Sequence, residues 1–393
     1  MVEQPTALHV KNRGQADVVL SEVQAVCMKI AHVVDSMEVG GAETLVSQMC
    51  RLQREQGHDP CVYAVASLGP LGEQMRAEGF SVLANMGWHL SDPSRNFFHV
   101  FKETHPDVVH LHNPTPTVYA AMAARMAGVP SIVSTRHNLV ASPRRLILEF
   151  KYAIATTFCD WIAGICDATT NNLKNAHSIP ARKIVRVYNG TDPVSRVTHE
   201  HWPLKTGFTL VYVGRLEPVK NHVLLLNAIQ AALGSMPGLR LWMVGDGSER
   251  KTLENLASEL GIDSQVTYFG QQLDVAPFFS AADAFIMSSK SEGLPISLLQ
   301  AFSLGLPAIV TDVGGMAEVV RLARAGFTVS ATDPAEMAAA ILRLAANNTE
   351  RERFSRNAEE AFQLRFTLQI MVDAYMDLYR STPRSRRIAN LTQ

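Results

Sequence analysis

The segment KSEGLPISLLQAFSLGLPAIVTDVGG, Lys290 to Gly315, constrains the fold more than any other part of this chain. It reads as a strand end, a tight turn, a helix, a second strand and a Gly-Gly turn into another helix. That is the rhythm of a parallel sheet covered by helices. A short apolar strand, Asp283 to Met287, leads into it through Ser288 and Ser289. Glu292 and Gly293 form the turn, and Pro295 is expected in the first helical turn, where its missing N–H would be unpaired in any case. The amides of Ile296, Ser297 and Leu298 then point out of the helix N-terminus, whose partial positive charge favours an anion such as phosphate. Glu292 at the lip can accept hydrogen bonds from sugar hydroxyls. Gln300 lies eight positions on, a little over two turns along the same helix, so both side chains are expected to face one cleft. Phosphate and sugar hydroxyls held in one place point to a nucleotide-sugar site.

The same alternation runs through the rest of the chain. Strand signals occur at Met28 to Asp35, Cys61 to Ala66, Asp107 to Leu111, Ser131 to Ser134, Trp161 to Gly164 and Ile184 to Tyr188, with helical segments between them. Asn189 to Gly207 breaks the pattern with proline, glycine and polar residues. It restarts at Thr209 to Val213, Arg240 to Val244, Val266 to Phe269, Ala284 to Met287 and Ala308 to Val310. The expected fold class is α/β, with two doubly wound Rossmann-like domains facing a cleft. The divisions are a lead at 1–25, a first domain at 26–190, a linker at 191–207, a second domain at 208–363, and a final helix with a basic tail at 364–393. That helix, Phe366 to Tyr379, is expected to cross back to the first domain.

At 393 residues the chain suits two cores rather than one. A net charge of -1 gives no argument for nucleic-acid binding. The five cysteines are scattered without a C-x-x-C pair, which fits buried thiols in a reducing compartment. The first 25 residues carry charges and lack the apolar core of a signal peptide. No apolar run approaches the roughly 18 residues that span a bilayer. The expectation is a cytoplasmic protein.

Gly214-Arg215-Leu216 follows a strand, and Lys220 stands six residues after Gly214 at the start of the next helix. Open α/β sheets bind ligands beyond the carboxyl ends of their strands, and a guanidinium with an ammonium there suits a diphosphate. The ordinary alternative is a pair of solvated surface cations. Gly40-Gly41-Ala42-Glu43 lets backbone approach a ligand at the first strand's end. The G-x-G-x-x-G spacing is absent, and the second strand lacks the acid that would hold an adenosine ribose, which disfavours a nicotinamide dehydrogenase. His110 and His112 alternate on a strand end and could ligate a metal, but no acid or cysteine lies at ligand spacing. No Asp-x-Asp occurs, which argues against a diphosphate gripped through a divalent metal. His137, in STRHN after another strand, is the better polar candidate. Base contacts are expected from the loop after Phe269, where Gln271 is the candidate. Arg144-Arg145 followed by LILEFKYAIATTF reads as an amphipathic helix, and Arg380, Arg384, Arg386 and Arg387 form a basic tail. The ordinary reading is an interdomain packing helix and a solvated tail. The sharper one is attraction to an anionic membrane face, worth about 1 kcal/mol per cation.

From Met28 to Tyr379 the chain resembles glycosyltransferase family four, the retaining nucleotide-sugar transferases of the GT-B fold. The resemblance rests on GGAE, REQGH, HLHNPT, STRHN, VYNGTD, VGRLEPVKNH, VGDGSER, SEGLPISLLQAFSLGLPAIVTDVGG and RFTLQIMVDAYMDLYR in order. It implies that Gly41 approaches the donor phosphates, that Arg215 and Lys220 hold the diphosphate, that His137 sits near the reacting centre and that Glu292 binds the donor hexose. Gly40, Gly214, Gly293, Leu294, Ile296 and Ser297 would complete the donor site. The position of Gln300 usually carries a second Glu that binds ribose. The resemblance also implies transfer of a hexose-type sugar from a UDP- or GDP-sugar to a glycan or lipid-linked acceptor, by front-face displacement and without metal or cofactor. Its setting would be cell-surface or exopolysaccharide synthesis, and the sharper reading of the basic tail adds peripheral contact with the inner face of the plasma membrane. The competing readings are a UDP-sugar epimerase on the same scaffold and a non-catalytic sugar-nucleotide-binding partner, the latter supported by Gln300.

Overall fold

A computed structural model describes residues 27–86, 93–139, 146–176, 179–197 and 207–382. In the first half, strands β1 (Lys29–Val34), β2 (Asp59–Ala64), β3 (Ser81–Leu83), β4 (Val108–His112), β5 (Ser131–Arg136), β6 (Trp161–Gly164) and β7 (Ile184–Arg186) form one sheet. Helices α1 (Gly41–Glu55), α2 (Gly69–Ala77), α3 (Pro93–Thr104), α4 (Pro114–Ala127), α5 (Leu146–Ala155) and α6 (Asp167–Ala176) connect them. In the second half, β8 (Thr209–Val213), β9 (Arg240–Val244), β10 (Val266–Gly270), β11 (Ala284–Met287), β12 (Ala308–Thr311) and β13 (Gly326–Val329) form another sheet. Their helices are α7 (His222–Leu233), α8 (Arg250–Glu259), α9 (Ala276–Ala281), α10 (Ile296–Ser303), α11 (Gly314–Ala323), α12 (Pro334–Ala346), α13 (Asn348–Arg365) and α14 (Leu368–Arg380).

All strand pairings in both sheets are parallel. The orders are β3-β2-β1-β4-β5-β6-β7 and β10-β9-β8-β11-β12-β13. Each chain path reverses direction once, between β1 and β4 and between β8 and β11, and such a switch point opens a crevice at the carboxyl ends of the strands. The central strands are buried along their whole length, as β4, β5, β8, β11 and β12 show. Two short edge strands, β3 and β13, and the helices α12 and α13 go beyond what the sequence reading assigned.

The last helix does cross back. Leu368, Met371, Val372, Tyr375, Met376 and Tyr379 of α14 are buried, in one cluster with Ile30, Leu45, Val108 and Val133 of the first half. Its entry lies beside the other crossing of the chain. The Thr191 N–H donates to the Phe366 carbonyl at 3.0 Å, and the Leu368 N–H donates to the Thr191 carbonyl at 2.9 Å. A side chain at Gly190 would stand 2.2 Å from the Thr367 carbonyl oxygen, so only glycine fits between the two crossings. A second tie joins α11 to α6. Glu318 accepts the N–H groups of Asp167 and Ala168 at 2.9 and 3.1 Å, an anion at a helix N-terminus, and the Tyr188 hydroxyl at 2.7 Å.

The helix α5 corrects one expectation. It packs against α4 of its own half rather than between the halves, and Ile147, Phe150 and Ile154 point outward, 75%, 68% and 50% exposed. Glu149 turns inward to a buried, bidentate pair with Arg136. Arg144, Arg145, the lead at 1–25 and the tail arginines beyond Thr382 lie outside the described residues.

Candidate active site

The ends of β8 and β11 meet at the switch point of the second sheet, and the charged groups that follow them are stitched together. The Lys220 ammonium bonds the Glu292 carboxylate, and the Ser289 hydroxyl donates to the same carboxylate oxygen at 3.3 Å. Ser288 donates to the Lys220 carbonyl at 2.9 Å, and the Lys290 N–H donates to the Val219 carbonyl at 2.8 Å. Lys220 and Glu292 are 14% and 15% exposed, enough burial for the pair to be poorly screened. An ammonium has three protons, so Lys220 can engage an anion while keeping Glu292. Arg215 is exposed just beyond Gly214, and the Tyr212 hydroxyl anchors it by donating to its carbonyl at 3.0 Å.

Glycine packing fixes the Glu292 turn. A side chain at Gly314, where φ is +54°, would meet the Glu292 carbonyl oxygen at 1.8 Å, and one at Gly293 would meet the His137 carbonyl at 2.3 Å. The Gly315 N–H donates to the Gly293 carbonyl at 2.8 Å. His137 and the Glu292 turn are therefore in contact across the interdomain cleft. The Leu294 carbonyl accepts from Asn189 Nδ2 at 3.0 Å. Pro295 is the N-cap of α10 rather than a residue of its first turn, and it provides no side-chain cap. The helix thus starts with uncapped amides at Ile296 and Ser297, as an anion site requires. Glu292 and Gln300 do not share a helix, because Glu292 precedes the N-cap. Gln300 is half-buried on α10, and no hydrogen bond from its side chain reaches Glu292 among the described residues.

From the first half, the GGAE loop faces this turn. A side chain at Gly41 would lie 4.0 Å from Ile296, and one at Gly40 would strike the Glu43 carboxylate at 2.3 Å. Burial raises the Glu43 pKa. Its own backbone N–H opposes the rise, Asp35 adds to it, and the charge of Arg215 across the cleft opposes it. Gln271 stands apart, exposed beyond the sheet-edge strand β10.

His110 and His112 are joined by a histidine that the sequence reading passed over. His32 is a polar residue inside the apolar run of β1, a signal that was open to reading. The three rings bring nitrogens within 4.8 Å of one another, yet each ring nitrogen already has a hydrogen-bond partner. His32 bonds Gln53 and His112, His112 bonds His32 and His137, and His110 bonds Tyr379 and Thr135. A metal would have to break these bonds, and no acid stands in the group to balance its charge.

Burial pushes the pKa of both His32 and His137 down to about 4, and those of His110 and His112 well below 6.5. Unfolding returns them to about 6.5. Below that pH the unfolded chain binds protons that the native rings refuse, so stability is full above about 6.5 and falls as the pH drops toward 4. Each ring adds a slope of up to about 1.4 kcal/mol per pH unit. Urea midpoints at pH 7.5, 6 and 5 should decline in that order, and a constant midpoint would refute the assignment of neutral rings.

Two family models match, described as Glycosyltransferase Family 4 over residues 39–195 and Glycosyl transferases group 1 over residues 197–361. The chain is similar to the lipopolysaccharide core biosynthesis glycosyltransferase LpsE of Rhizobium meliloti, 35% identical over 39% of this chain. It spans only 45% of that relative's length. It is also similar to the UDP-Gal:alpha-D-GlcNAc-diphosphoundecaprenol alpha-1,3-galactosyltransferase of Escherichia coli, 25% identical over 72% of this chain and 78% of the relative. Among solved structures, Anabaena Alr3699/HepE in complex with UDP and glucose superposes with a TM-score of 0.79 at 19% identity, covering 90% of this chain and 100% of that one. With two parallel sheets facing a cleft and family models running almost end to end from residue 39 to residue 361, the chain belongs to glycosyltransferase family four and has the GT-B fold.

Proposed function

We propose that this protein is a retaining glycosyltransferase that moves a hexose-type sugar from a UDP- or GDP-sugar to a glycan or lipid-linked acceptor. The product would serve cell-surface or exopolysaccharide synthesis. One observation carries the reading: at a sheet switch point Lys220 bonds Glu292 just before the uncapped start of α10, with exposed Arg215 beyond the end of β8 and Gly41 opposite. In the reaction the bond from the anomeric carbon to the diphosphate breaks, and the acceptor oxygen bonds that carbon from the same face. The acceptor's hydroxyl proton passes to the departing phosphate oxygen. Arg215, Lys220 and the α10 amides stabilise the charge that develops there, which needs no metal. The HepE complex and the Escherichia coli relative, one holding UDP and the other named for a UDP-sugar and a lipid diphosphate, support this donor and acceptor chemistry.

The test is a panel of UDP- and GDP-hexoses with a lipid-diphosphate sugar acceptor in excess EDTA, with the product's anomeric configuration read by NMR. Transfer with retention is expected. Activity that vanishes in EDTA and returns with magnesium or manganese overturns metal independence. An inverted product overturns retention, an epimerised donor assigns the isomerase, and binding without turnover assigns a binding partner.

Gln300 bears on donor affinity. If its amide is a ribose contact without charge assistance, Gln300→Glu tightens donor binding roughly 3- to 10-fold, the worth of about 1 kcal/mol or less. Titration of UDP and GDP into both proteins measures this, and unchanged affinity places Gln300 outside the ribose site.

A bilayer is the proposed neighbour of the first half. Ile147, Phe150 and Ile154 of α5 stand outward with Lys151, and the helix it packs on, α4, exposes Met122 and Met126, 42% and 64%. The outward face of α5 bears no acid, since Glu149 is buried against Arg136. Co-sedimentation with anionic vesicles is expected, reduced at least ~5-fold by Ile147→Ser with Phe150→Ser, in line with the apolar area withdrawn. Equal sedimentation of both proteins would exclude this face.

A further inference from the structure

Three histidines form an unbroken hydrogen-bonded line from the interior of the first sheet to the cleft. Gln53 Oε1 lies 2.8 Å from His32 Nε2, His32 Nδ1 lies 3.0 Å from His112 Nε2, and His112 Nδ1 lies 3.1 Å from His137 Nε2. The line joins three segments far apart in sequence. His32 comes from β1 and His112 from β4, the two strands at the switch point, and His137 directly follows β5. His112 stacks between His32 and His137, with ring centroids 5.3 and 5.4 Å away.

A neutral imidazole has one N–H and one bare nitrogen, so each ring in such a line donates at one end and accepts at the other. Direction at one end therefore fixes direction throughout. A carboxamide oxygen only accepts. The orientation of the Gln53 amide sets the direction: with Oε1 turned to His32 and Nε2 left buried without a partner, the His32 Nε2 is the protonated nitrogen. His32 Nδ1 then accepts from His112 Nε2–H, and His112 Nδ1 accepts from His137 Nε2–H. His137 is left with a bare Nδ1, which has no hydrogen-bond partner among the described residues. Its backbone is held independently: its N–H donates to Asn113 Oδ1 at 3.1 Å, and its carbonyl packs on Gly293. The ring can neither turn away nor change its proton without disturbing His112.

We propose that Gln53, His32 and His112 are positioning residues that hold His137 in the Nε2–H form, so that its Nδ1 presents a lone pair to a substrate hydroxyl beside Glu292. Burial, which keeps all three rings neutral at neutral pH, supports this by denying the line a second proton. A sugar hydroxyl accepted by His137 is fixed as a donor, and its oxygen is turned toward other donors in the cleft. The device selects a hydroxyl over a carbonyl or a carboxylate at that position, since neither of those can donate. This role rests on the sugar-transfer reading only in the identity of the hydroxyl. The polarity of the line stands apart from it.

The test begins with nitrogen NMR of the unliganded, 15N-histidine-labelled protein at pH 7.5, with the His137 signals assigned by their loss in His137→Asn. A bare Nδ1 and a protonated Nε2 on His137 are expected. A proton on Nδ1, or on both nitrogens, overturns the proposal. This reading needs no turnover, so it separates failure of the line from failure of the assigned reaction. Kinetics then address its consequence. His112→Leu removes the acceptor and should lower kcat/KM for the donor about 10-fold, the loss expected when one hydrogen bond is disordered. His112→Gln, whose amide can accept through oxygen and donate through nitrogen, should return kcat/KM to within about 3-fold of wild type. Equal losses in both variants, at wild-type melting temperature, would show that the ring only fills space.

Discussion

Lys220→Ala and Arg215→Ala are each expected to lower turnover by at least ~100-fold, the scale of losing a donor to developing charge in a water-poor site. The two variants should differ in stability, and that difference is diagnostic. Lys220 is largely buried and bonded to Glu292, whose other partner is a neutral hydroxyl. Its removal leaves a carboxylate short of its cation in a poorly solvated place, so the melting temperature should fall as well. Arg215 is exposed and serves no packing role, so its variant should melt normally. Steady-state turnover at saturating donor, with thermal melts of both proteins, checks each part. Near-normal turnover in both would sink the diphosphate assignment.

Ending the chain at Arg365 should abolish cooperative folding of the first half, although that half's own sheet would be intact in sequence. The deletion removes six buried side chains of α14. At about 1.5–3 kcal/mol each, their gross burial rivals the roughly 5–15 kcal/mol of net stability typical of a whole domain. It also exposes the apolar surface of Ile30, Leu45, Val108 and Val133, and takes from His110 and Thr135 the hydroxyls of Tyr379 and Tyr375 at 2.7 and 2.9 Å. Calorimetry of the truncated protein should lose the first-half transition. A retained transition at the full-length temperature would show α14 to be an accessory.

The central strands were legible because a strand buried on both faces tends to be written as a mostly apolar run, as Leu210 to Val213 and Ala284–Met287 are. The edge strands were not. Ser81–Leu83 has three residues with both ends exposed, and Gly326–Val329 opens on a glycine and is fully buried only at Val329. The helix α13 escaped because its sequence is mostly polar and buries only a narrow stripe through Phe354, Ala358 and Phe362. Site residues at strand ends could be read, since a glycine and a charge directly after an apolar run betray the carboxyl edge of a sheet. That logic placed Arg215, Lys220, Glu292 and Gly41 around one cleft. It misjudged only the helix boundary: α10 begins after the N-cap Pro295, so Glu292 lies in the turn before it and does not share a helix with Gln300. The histidine line was invisible for a different reason. Only the pairing of β1 with β4, which sets His32 opposite His110, brings residues some eighty positions apart to one place.

The bridge between Thr191 and Thr367 has a mechanical consequence. Both covalent passages between the halves run through one spot and are bonded to each other there, so they behave as a single pivot rather than two independent tethers. A pivot of this kind allows swing but resists sliding and shear. The separation of Gly41 from Ile296 then becomes a lever's reading of one angle, and whatever changes that angle at α10 must move the opposite jaw as a rigid piece.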